Sequence, residues 1–522
     1  MKSSNIDKAI FWPALAIVAI LTIPIFLNPK QGTAALGNIH HVITESLGSV
    51  YLWAVIAAVV FLLWLAFSKY GNVKFGDPDT KPEFSTPSWL AMLFTAGIGA
   101  SITYWCGIEW AYYYTAPPFG AEAKSMQAID WAATYGLFHW GFSAWALYCL
   151  PALPIAYNLY VRKKPSVQLS AACEGVLKKG ADSWLGKAID VFFIFGLIGG
   201  MGVAFGLGLP LISEAVAALF GMTRSITLDI ILIIILTLIF CISAYFGLKK
   251  GLKRLANMNM YLFLALSVFV LLAGPTLFII SRFTDSVGVL LQNFFRMSFY
   301  TDSVAKSGFP EAWTIFYWAW WFTCAPYMGI FVAKISKGRT IKQIILAECI
   351  GGTIGCWVAF AIFGNTGLYI ELNKIVPVSD ILETKGAEAA IISIYQGLPM
   401  SGIALLAISI ITLIFLSATL DSSSYTLANV ASRKVSLDEE PARWHKLVWA
   451  LAIEVVAFSM MFSGGLHALQ SVVVITSVPL VLIMAMSAIS LVRWLKEDEE
   501  KNRVHISDIG ATNNGHVERL TS

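Results

Sequence analysis

Apolar residues recur along nearly the whole chain in runs of about twenty, and short polar segments separate these runs. Three examples are FWPALAIVAILTIPIFL (11–27), LWAVIAAVVFLLWLAF (52–67) and LDIILIIILTLIFCISAYF (228–246). A helix rises 1.5 Å per residue, so about twenty apolar residues can cross a hydrocarbon core of about 30 Å. The pattern predicts an all-α integral membrane protein.

By this criterion the sequence contains twelve predicted spans. They lie near residues 9–27, 50–68, 87–115, 128–160, 186–220, 226–246, 256–282, 312–335, 340–364, 396–430, 443–464 and 468–494. The basic residues support this count, because 28 of the 36 Lys and Arg residues lie in the two tails and the loops on their side. Basic residues concentrate on the cytoplasmic side of a membrane. Both termini are therefore predicted to be cytoplasmic.

Composition excludes several other classes of protein. Hydrophobic residues make up 57% of the 522 residues and charged residues 13%, whereas soluble proteins have about 25% charged residues. The net charge of +4 lies on the cytoplasmic loops, so no nucleic-acid partner is expected. The seven cysteines are scattered, and no catalytic or metal-binding cluster of His, Cys, Asp or Glu is evident. We therefore expect a protein that is not an enzyme.

After two initial spans, the other ten divide into two sets of five, and the first span of each set contains a helix-breaking segment. Span three has AGIGAS (96–101), and span eight has Cys324-Ala325-Pro326 followed by Gly329. Matching interruptions indicate a transporter with inverted repeats, although glycines also serve close helix packing. Segment 283–299 lies between the sets, is too short and polar to span, and is predicted to be an interfacial amphipathic helix on the outer face.

Aromatic residues concentrate in two of the spans. Seven of the fourteen residues in WTIFYWAWWFTCAP (313–326) are aromatic, and FHWGFSAWALY (138–148) lies in span four. Tryptophans are common at membrane interfaces, but Trp320 and Trp321 lie about 12 Å into their span. A quaternary ammonium group has no N–H to donate, and aromatic faces bind it with about 2 kcal/mol or more per contact when water is excluded. The pattern favours an aromatic cage for an onium compound.

These motifs, together with GIFVAKISKGRTIKQ (329–343), resemble the betaine/carnitine/choline transporters, and the resemblance covers essentially the whole chain. It implies a LeuT-type fold of two inverted five-helix repeats preceded by two extra helices, usually as a homotrimer. The corresponding segments are 1–85 (cytoplasmic N-terminus and two peripheral helices), 86–282 (first repeat), 283–309 (periplasmic amphipathic helix), 310–495 (second repeat) and 496–522 (short cytoplasmic tail).

The resemblance also implies the residues of a substrate site and of a sodium site. The tryptophan box that holds a trimethylammonium group corresponds to Trp140, Trp145, Tyr148 and Trp321. Further substrate-contacting positions correspond to Trp320, Tyr112 and Met328. The sodium ligands correspond to Thr95, Ile98, Phe415 and Thr419.

Three positions depart from the family pattern. Cys324 stands where sodium-coupled members commonly have another aromatic residue, and Ala418 replaces one hydroxyl of the sodium site. Asn259 stands where the sodium-independent antiporter has an arginine. The hydroxyl-rich run 417–424 offers oxygen ligands for a monovalent cation, but such hydroxyls also bond to carbonyls of their own helix. Sodium coupling is favoured because the glycine break of span three is present and the arginine is not.

The sequence thus predicts a secondary transporter of glycine betaine, carnitine or choline that works by alternating access within the lipid bilayer. No cofactor is expected besides Na+ as the coupling ion. Three alternatives stay open: a sodium-independent carnitine/γ-butyrobetaine antiporter, a carrier of a sulfonium such as dimethylsulfoniopropionate, and a receptor or channel with an aromatic cage. Only a carrier concentrates many substrate molecules per protein in vesicles.

Overall fold

The computed structural model describes residues 6–97, 99–164, 166–177, 179–246, 249–433, 441–463 and 465–518. Within these ranges it describes every side chain except those of 94–97, 100, 243–246, 249–257, 462, 463 and 502–518. The described backbone is almost wholly helical and contains no β-strand.

The helices of the described ranges follow the apolar runs of the sequence. They are α1 (Lys8–Leu27), α2 (Pro29–Phe67), α3 (Thr86–Gly97), α4 (Ala100–Thr115), α5 (Met126–His139), α6 (Phe142–Tyr160), α7 (Leu169–Ala172), α8 (Trp184–Leu219), α9 (Ile226–Phe246), α10 (Lys249–Ala273), α11 (Thr276–Ser298), α12 (Phe316–Ile335), α13 (Ile341–Ala359), α14 (Asn365–Leu372), α15 (Val378–Lys385), α16 (Ala387–Gln396), α17 (Ser401–Val430), α18 (Arg443–Ser463) and α19 (Gly465–Glu518). Single π-helical turns precede α12 (Pro310–Ile315) and follow α13 (Phe360–Gly364).

Each predicted span coincides with one or two of these helices. Among the described residues, eight helices are long and apolar enough to cross a membrane, and a ninth is added if the bent pair α10 and α11 counts as one span. The all-α membrane architecture is therefore confirmed, while the number twelve stays a prediction. Helix α8 is the most buried of the eight, because α1, α12, α17, α18 and α19 all pack around it.

The predicted interruption of span three is present, but that of span eight is not. Gly99 lies between α3 and α4 with extended backbone angles (φ −121°, ψ −175°). Helix α12 in contrast continues through Pro326. A Cβ on Gly329 would lie 2.8 Å from the Pro151 ring and 2.9 Å from the Ala152 nitrogen. This glycine therefore allows α12 to pack closely on α6 and does not break the helix.

Span four contains a break that the sequence analysis did not predict. Trp140 and Gly141 separate α5 from α6, so the backbone carbonyl of Leu137 loses its helical partner. The Trp357 indole N–H donates to that oxygen at 2.8 Å. An unpaired carbonyl in the hydrocarbon core would cost several kcal/mol, so this side chain makes the break tolerable.

The amphipathic helix expected at 283–299 is present but begins earlier. Helix α11 starts at Thr276 because the chain turns by 105° between α10 and α11, at Gly274 and Pro275. The Arg282 guanidinium donates to Asp130 at 2.8 Å and fixes α11 against α5. Its location at the outer membrane face stays a prediction.

Replacing Gly141 with alanine would place a Cβ 2.4 Å from the Leu137 carbonyl oxygen. We expect the free energy of unfolding to fall by roughly 1–3 kcal/mol and the melting temperature in detergent to fall by several degrees. Gly351→Ala on α13 is the matched control, because a Cβ there meets no atom within 4 Å. Equal melting temperatures for the two variants would contradict a need for glycine at the break.

Candidate functional site

Four of the predicted site residues form one cluster, which we call the aromatic cage: Trp140, Trp145, Tyr148 and Trp321. The Trp321 ring lies 5.5 Å from Trp140, 6.0 Å from Trp145 and 4.4 Å from Tyr148, measured between ring centroids. The rings are inclined to Trp321 at 78°, 58° and 56°. All three tryptophans are buried and Tyr148 is half-buried. The structure therefore brings the predicted box residues together, and their binding role stays a prediction.

Local structure explains how span four contributes three rings to the cage. Trp145 and Tyr148 are three residues apart on α6, so they share one face of that helix. Trp140 lies at the break before α6 and approaches Trp321 from a different direction. Gly352 of α13 backs Trp145 so closely that a Cβ there would lie 2.1 Å from the indole ring.

A fully buried carboxylate, Glu109 of α4, holds the cage tryptophan Trp140 in place. Its Oε2 accepts hydrogen bonds from the Trp140 indole N–H at 3.0 Å and from the Tyr317 hydroxyl at 2.6 Å. Its Oε1 accepts from the Tyr113 hydroxyl at 2.6 Å and lies 3.3 Å from Nδ1 of His139. Hydrogen bonds to a charged acceptor are about twice as strong as neutral ones. The network therefore fixes the orientation of Trp140.

The Glu109 network connects three helices and continues beyond the carboxylate. The His139 ring stacks on Tyr317 with centroids 4.6 Å apart, and its Nε2 lies 3.1 Å from the Thr314 hydroxyl oxygen. The carboxylate belongs to α4, the imidazole to α5 and Tyr317 to α12. The ionised form of this carboxyl would attract a cation in the cage.

The sequence analysis did not identify Glu109 as part of the site. The segment EWAYYYTAPP places Tyr113 four residues after Glu109, so one helical turn predicts the contact between these two side chains. His139 directly precedes Trp140, so one short segment supplies two further contacts of Glu109. The contact with Tyr317 joins residues 208 positions apart. Only the packing of α4 against α12 brings the Tyr317 hydroxyl to the carboxyl group that the other three side chains surround.

Trp320 and Met328, two further predicted substrate contacts, both lie on α12, and Trp320 lies beside the cage. The Trp320 indole N–H donates to the Gly200 carbonyl of α8 at 3.1 Å, and its ring lies 6.1 Å from Trp140. Met328 is buried on the same face of α12 as Trp321, two turns or about 10.5 Å along the helix. Trp320 therefore supports the cage from the α8 side.

Tyr112, in contrast, lies outside the cage. Its ring packs 4.9 Å from Trp313, and its side chain lines a separate cavity of about 310 Å³. The charged groups that line this cavity are Arg224 and Glu388, and the Tyr104 hydroxyl donates to Glu388 at 3.3 Å. Burial raises the pKa of the Glu388 carboxyl above its ordinary value, although Arg224 and Tyr104 oppose the effect.

The predicted sodium ligands are only partly described. The side chain of Thr95 and the whole of Ile98 lie outside the described residues. Phe415 is buried on α17, with its ring 6.4 Å from Phe263. The Thr419 carbonyl on the same helix accepts a hydrogen bond from Ser423 at 2.6 Å.

The hydroxyl-rich run on α17 mostly bonds to its own helix. Ser417 donates to the Leu413 carbonyl at 2.8 Å, Ser422 to the Ala418 carbonyl at 2.8 Å, and Ser424 to the Asp421 carbonyl at 3.1 Å. These bonds match the second interpretation of the run, in which its hydroxyls bond to carbonyls of their own helix rather than to a cation. Asn259 is uncharged, and its amide N–H donates to the Ile411 carbonyl at 3.0 Å.

Comparisons with known proteins show which family of transporters the chain is similar to. The family model described as BCCT, betaine/carnitine/choline family transporter, matches residues 9–500. The uncharacterized transporter YeaV of Escherichia coli is 35% identical over 448 residues, which are 85% of this chain and 92% of YeaV. A carnitine transporter of Acinetobacter baumannii is 33% identical over 450 residues, which are 86% of this chain and 82% of that protein.

Glu109→Gln tests the hydrogen-bond network directly. The NH2 group of the new glutamine cannot accept, so the donors on that side of the former carboxylate lose bonds that contribute about 1.5–3 kcal/mol each. We expect a lower melting temperature and a changed near-ultraviolet circular dichroism, because Trp140 loses its fixed orientation. Glu454→Gln is the control: Thr237 lies 3.0 Å from both oxygens of Glu454, so one acceptor remains. Identical spectra and melting for both variants would contradict the role of Glu109.

Proposed function

Since the chain belongs to the betaine/carnitine/choline family of transporters, we propose that it is a secondary active transporter of quaternary ammonium compounds. Glycine betaine, carnitine and choline are the proposed substrates, and alternating access is the mechanism. The observation that carries this proposal is the aromatic cage around Trp321, with the Glu109 carboxylate hydrogen-bonded to one of its walls. The name of the carnitine transporter of A. baumannii supports carnitine in particular.

The cage and the helix break before α4 suit the two ends of a zwitterion. A trimethylammonium group binds to aromatic faces, and the buried negative charge of Glu109 adds to the attraction. Helix α4 begins at Ala100 after the extended Gly99, so its first amide groups lack helical acceptors. We propose that these amides bind the anionic end of the substrate, since a helix N-terminus favours negative charge.

The packing of the helices supports the proposed inverted repeats. The span-eight helix α12 packs on α6 of span four, and the span-nine helix α13 packs on α3 of span three. Reciprocal contacts of this kind are expected when two five-helix units are related by a pseudo-two-fold axis. On this proposal, 86–282 and 310–495 are the repeats, 1–85 holds the peripheral helices, 283–309 the amphipathic helix and 496–522 the tail.

Ion pairs support the proposed cytoplasmic location of both termini. The Asp7 carboxylate pairs with Lys187, and Lys69 lies 2.6 Å from Glu499 near the end of the chain. These side chains come from loops and tails that the distribution of basic residues assigns to the cytoplasm. A homotrimer in the inner membrane is the assembly that we propose from the family resemblance.

Sodium is the proposed coupling ion, with Thr95, Ile98, Phe415 and Thr419 as its ligands. Two observations support a bound ion at the proposed sodium site, rather than a positively charged side chain in its place. The span-three break at Gly99 leaves backbone groups without helical partners, and Asn259 supplies no positive charge that would replace the ion. The alternatives are sodium-independent exchange of carnitine and γ-butyrobetaine, and transport of a sulfonium analogue by the same cage.

Trp321→Ala removes the ring that contacts all three other members of the cage. Losing one desolvated cation–π contact of about 2 kcal/mol corresponds to roughly a thirtyfold weaker affinity. We expect uptake of radiolabelled glycine betaine and carnitine into proteoliposomes to become undetectable at low substrate concentration. Trp184→Ala is the control, because Trp184 is 77% exposed at the start of α8. Unchanged uptake by the Trp321 variant would refute the cage.

The coupling ion is tested with empty and substrate-preloaded proteoliposomes, with and without a sodium gradient. We expect accumulation in empty vesicles only with sodium, and a higher sodium requirement for Thr419→Ala. Thr426→Ala is the matched control, because its hydroxyl donates to the Ser422 carbonyl within α17 at 2.9 Å. Uptake that needs preloading and ignores sodium would establish exchange and refute sodium coupling.

A further inference from the structure

Two histidines that are far apart in the sequence, His40 of α2 and His467 of α19, lie side by side outside the site described so far. Their ring centroids are 5.5 Å apart, and the two ring planes are inclined at 83°. Position 40 lies between predicted spans one and two, and position 467 lies between spans eleven and twelve. The predicted topology therefore places both histidines on the side of the membrane opposite the two tails.

The imidazole of His40 has a nitrogen that is available to a ligand. The residue is buried, and its Nε2 atom has no hydrogen-bond partner among the described residues. Buried polar atoms ordinarily have such a partner. The backbone carbonyl of His40, in contrast, accepts a hydrogen bond from the Thr44 hydroxyl at 3.0 Å. Only the side chain of His40 is therefore left to bind something else.

The imidazole of His467 is directed at the same face of α2. A Cβ added to Gly37 would lie 3.3 Å from Nε2 of His467. Gly37 precedes His40 by three residues, and residues with this spacing share one face of a helix. The missing side chain at position 37 thus admits the second imidazole next to the first.

The separation of the two rings suits a metal ion bound between them. Imidazole nitrogens bind Zn2+ at about 2.0–2.1 Å, usually with tetrahedral geometry. Since the ring centre lies about 1.1 Å behind the nitrogen, two imidazoles on one tetrahedral ion have centroids roughly 5.2 Å apart. The 5.5 Å between His40 and His467 is close to this value. An edge-to-face contact of two rings has a similar separation, but it provides no oxygen or nitrogen acceptor for Nε2 of His40.

Within the described ranges of the chain, no group of three or more His, Cys, Asp or Glu side chains could hold a metal ion. His41, the next residue of α2, is exposed, and its Nε2 lies 3.4 Å from Oε1 of Glu45. An ion between His40 and His467 therefore keeps water at its other coordination positions, as in open zinc sites. Imidazole ligands suit Zn2+, Cu2+ and Ni2+, whereas Mg2+ and Ca2+ prefer oxygen.

We propose that His40 and His467 bind one divalent transition-metal ion, which joins α2 to α19. Each Nε2 contributes its lone pair to the ion, and water completes the coordination. Gln470, one turn after His467, donates to the Ala312 carbonyl at 2.7 Å, in the π-helical turn before α12. The ion thus stabilises the end of α19 that contacts this turn. The inference does not depend on the substrate of the aromatic cage.

The first test is calorimetric titration of ZnCl2 and NiCl2 into the purified full-length chain, which must carry no oligohistidine tag. We expect one saturable site per chain in the wild type, and at least about tenfold weaker binding by His467→Ala, which loses one of the two ligands. His467 is exposed, so its replacement should leave the fold intact. Equal affinities of the wild type and His467→Ala would overturn the proposal.

His41→Ala is the matched control, because His41 is an exposed histidine next to the pair and has Glu45 as its partner. We expect this variant to keep the affinity of the wild type. Zn2+ should also raise the melting temperature of the wild type and of His41→Ala, but not that of His467→Ala, since a ligand of the folded state stabilises it. Loss of binding in His41→Ala alone would place the ion at His41 and Glu45 and overturn the proposal.

Electron paramagnetic resonance of bound Cu2+ counts the imidazole ligands directly and needs no substrate. We expect nitrogen couplings from two imidazoles in the wild type and from one in His467→Ala. The spectrum of the wild type remains a test even if His40→Ala fails to fold. Couplings from a single imidazole in the wild type would show an adventitious ion only and would overturn the proposed bridge.

Discussion

The hydrocarbon core of a membrane offers no water to polar groups, and the candidate site depends on how one carboxylate meets that constraint. Glu109 is fully buried, yet Tyr113, Trp140, Tyr317 and His139 all lie within hydrogen-bond distance of its oxygens. Hydrogen bonds from these groups, which belong to α4, to the end of α5 with the following break, and to α12, offset the cost of burying the carboxylate. The same bonds determine where Trp140 lies. The acid therefore stabilises the helix arrangement and shapes the cage at the same time.

The two halves of the proposed transporter contribute unequally to this site. Spans three and four, in the first half, are both interrupted, at Gly99 and at Gly141. In the second half, α12 continues through Pro326 and presents Trp321 from a regular helix. An interrupted helix can direct Trp140 and Trp145 toward one point, which a continuous helix cannot do with residues five apart. The first half thus places its aromatic residues by means of two backbone breaks, whereas α12 contributes Trp321 from a continuous helix.

Local sequence signals predicted the parts of the structure that depend on local physics. Apolar runs located the helices, AGIGAS located one break, and the three-residue spacing of Trp145 and Tyr148 placed both on one face. The errors arose where tertiary packing decides. Pro326 was expected to break its helix, but close packing at Gly329 stabilises the continuous form. The break in span four depends on Trp357, which is 220 residues from the carbonyl that it satisfies.

The small side chain of Cys324 on α12 has a structural explanation that the family comparison alone does not provide. A Cβ on Gly200 of α8 would lie 2.8 Å from the Cys324 sulfur and 2.5 Å from the Thr323 hydroxyl oxygen. The Gly200 carbonyl also accepts the hydrogen bond from Trp320. Helix α8 therefore occupies the space into which a larger side chain at position 324 would extend. If the cage binds an ammonium head as proposed, the size of head that fits would depend on how closely α8 and α12 approach each other at this glycine.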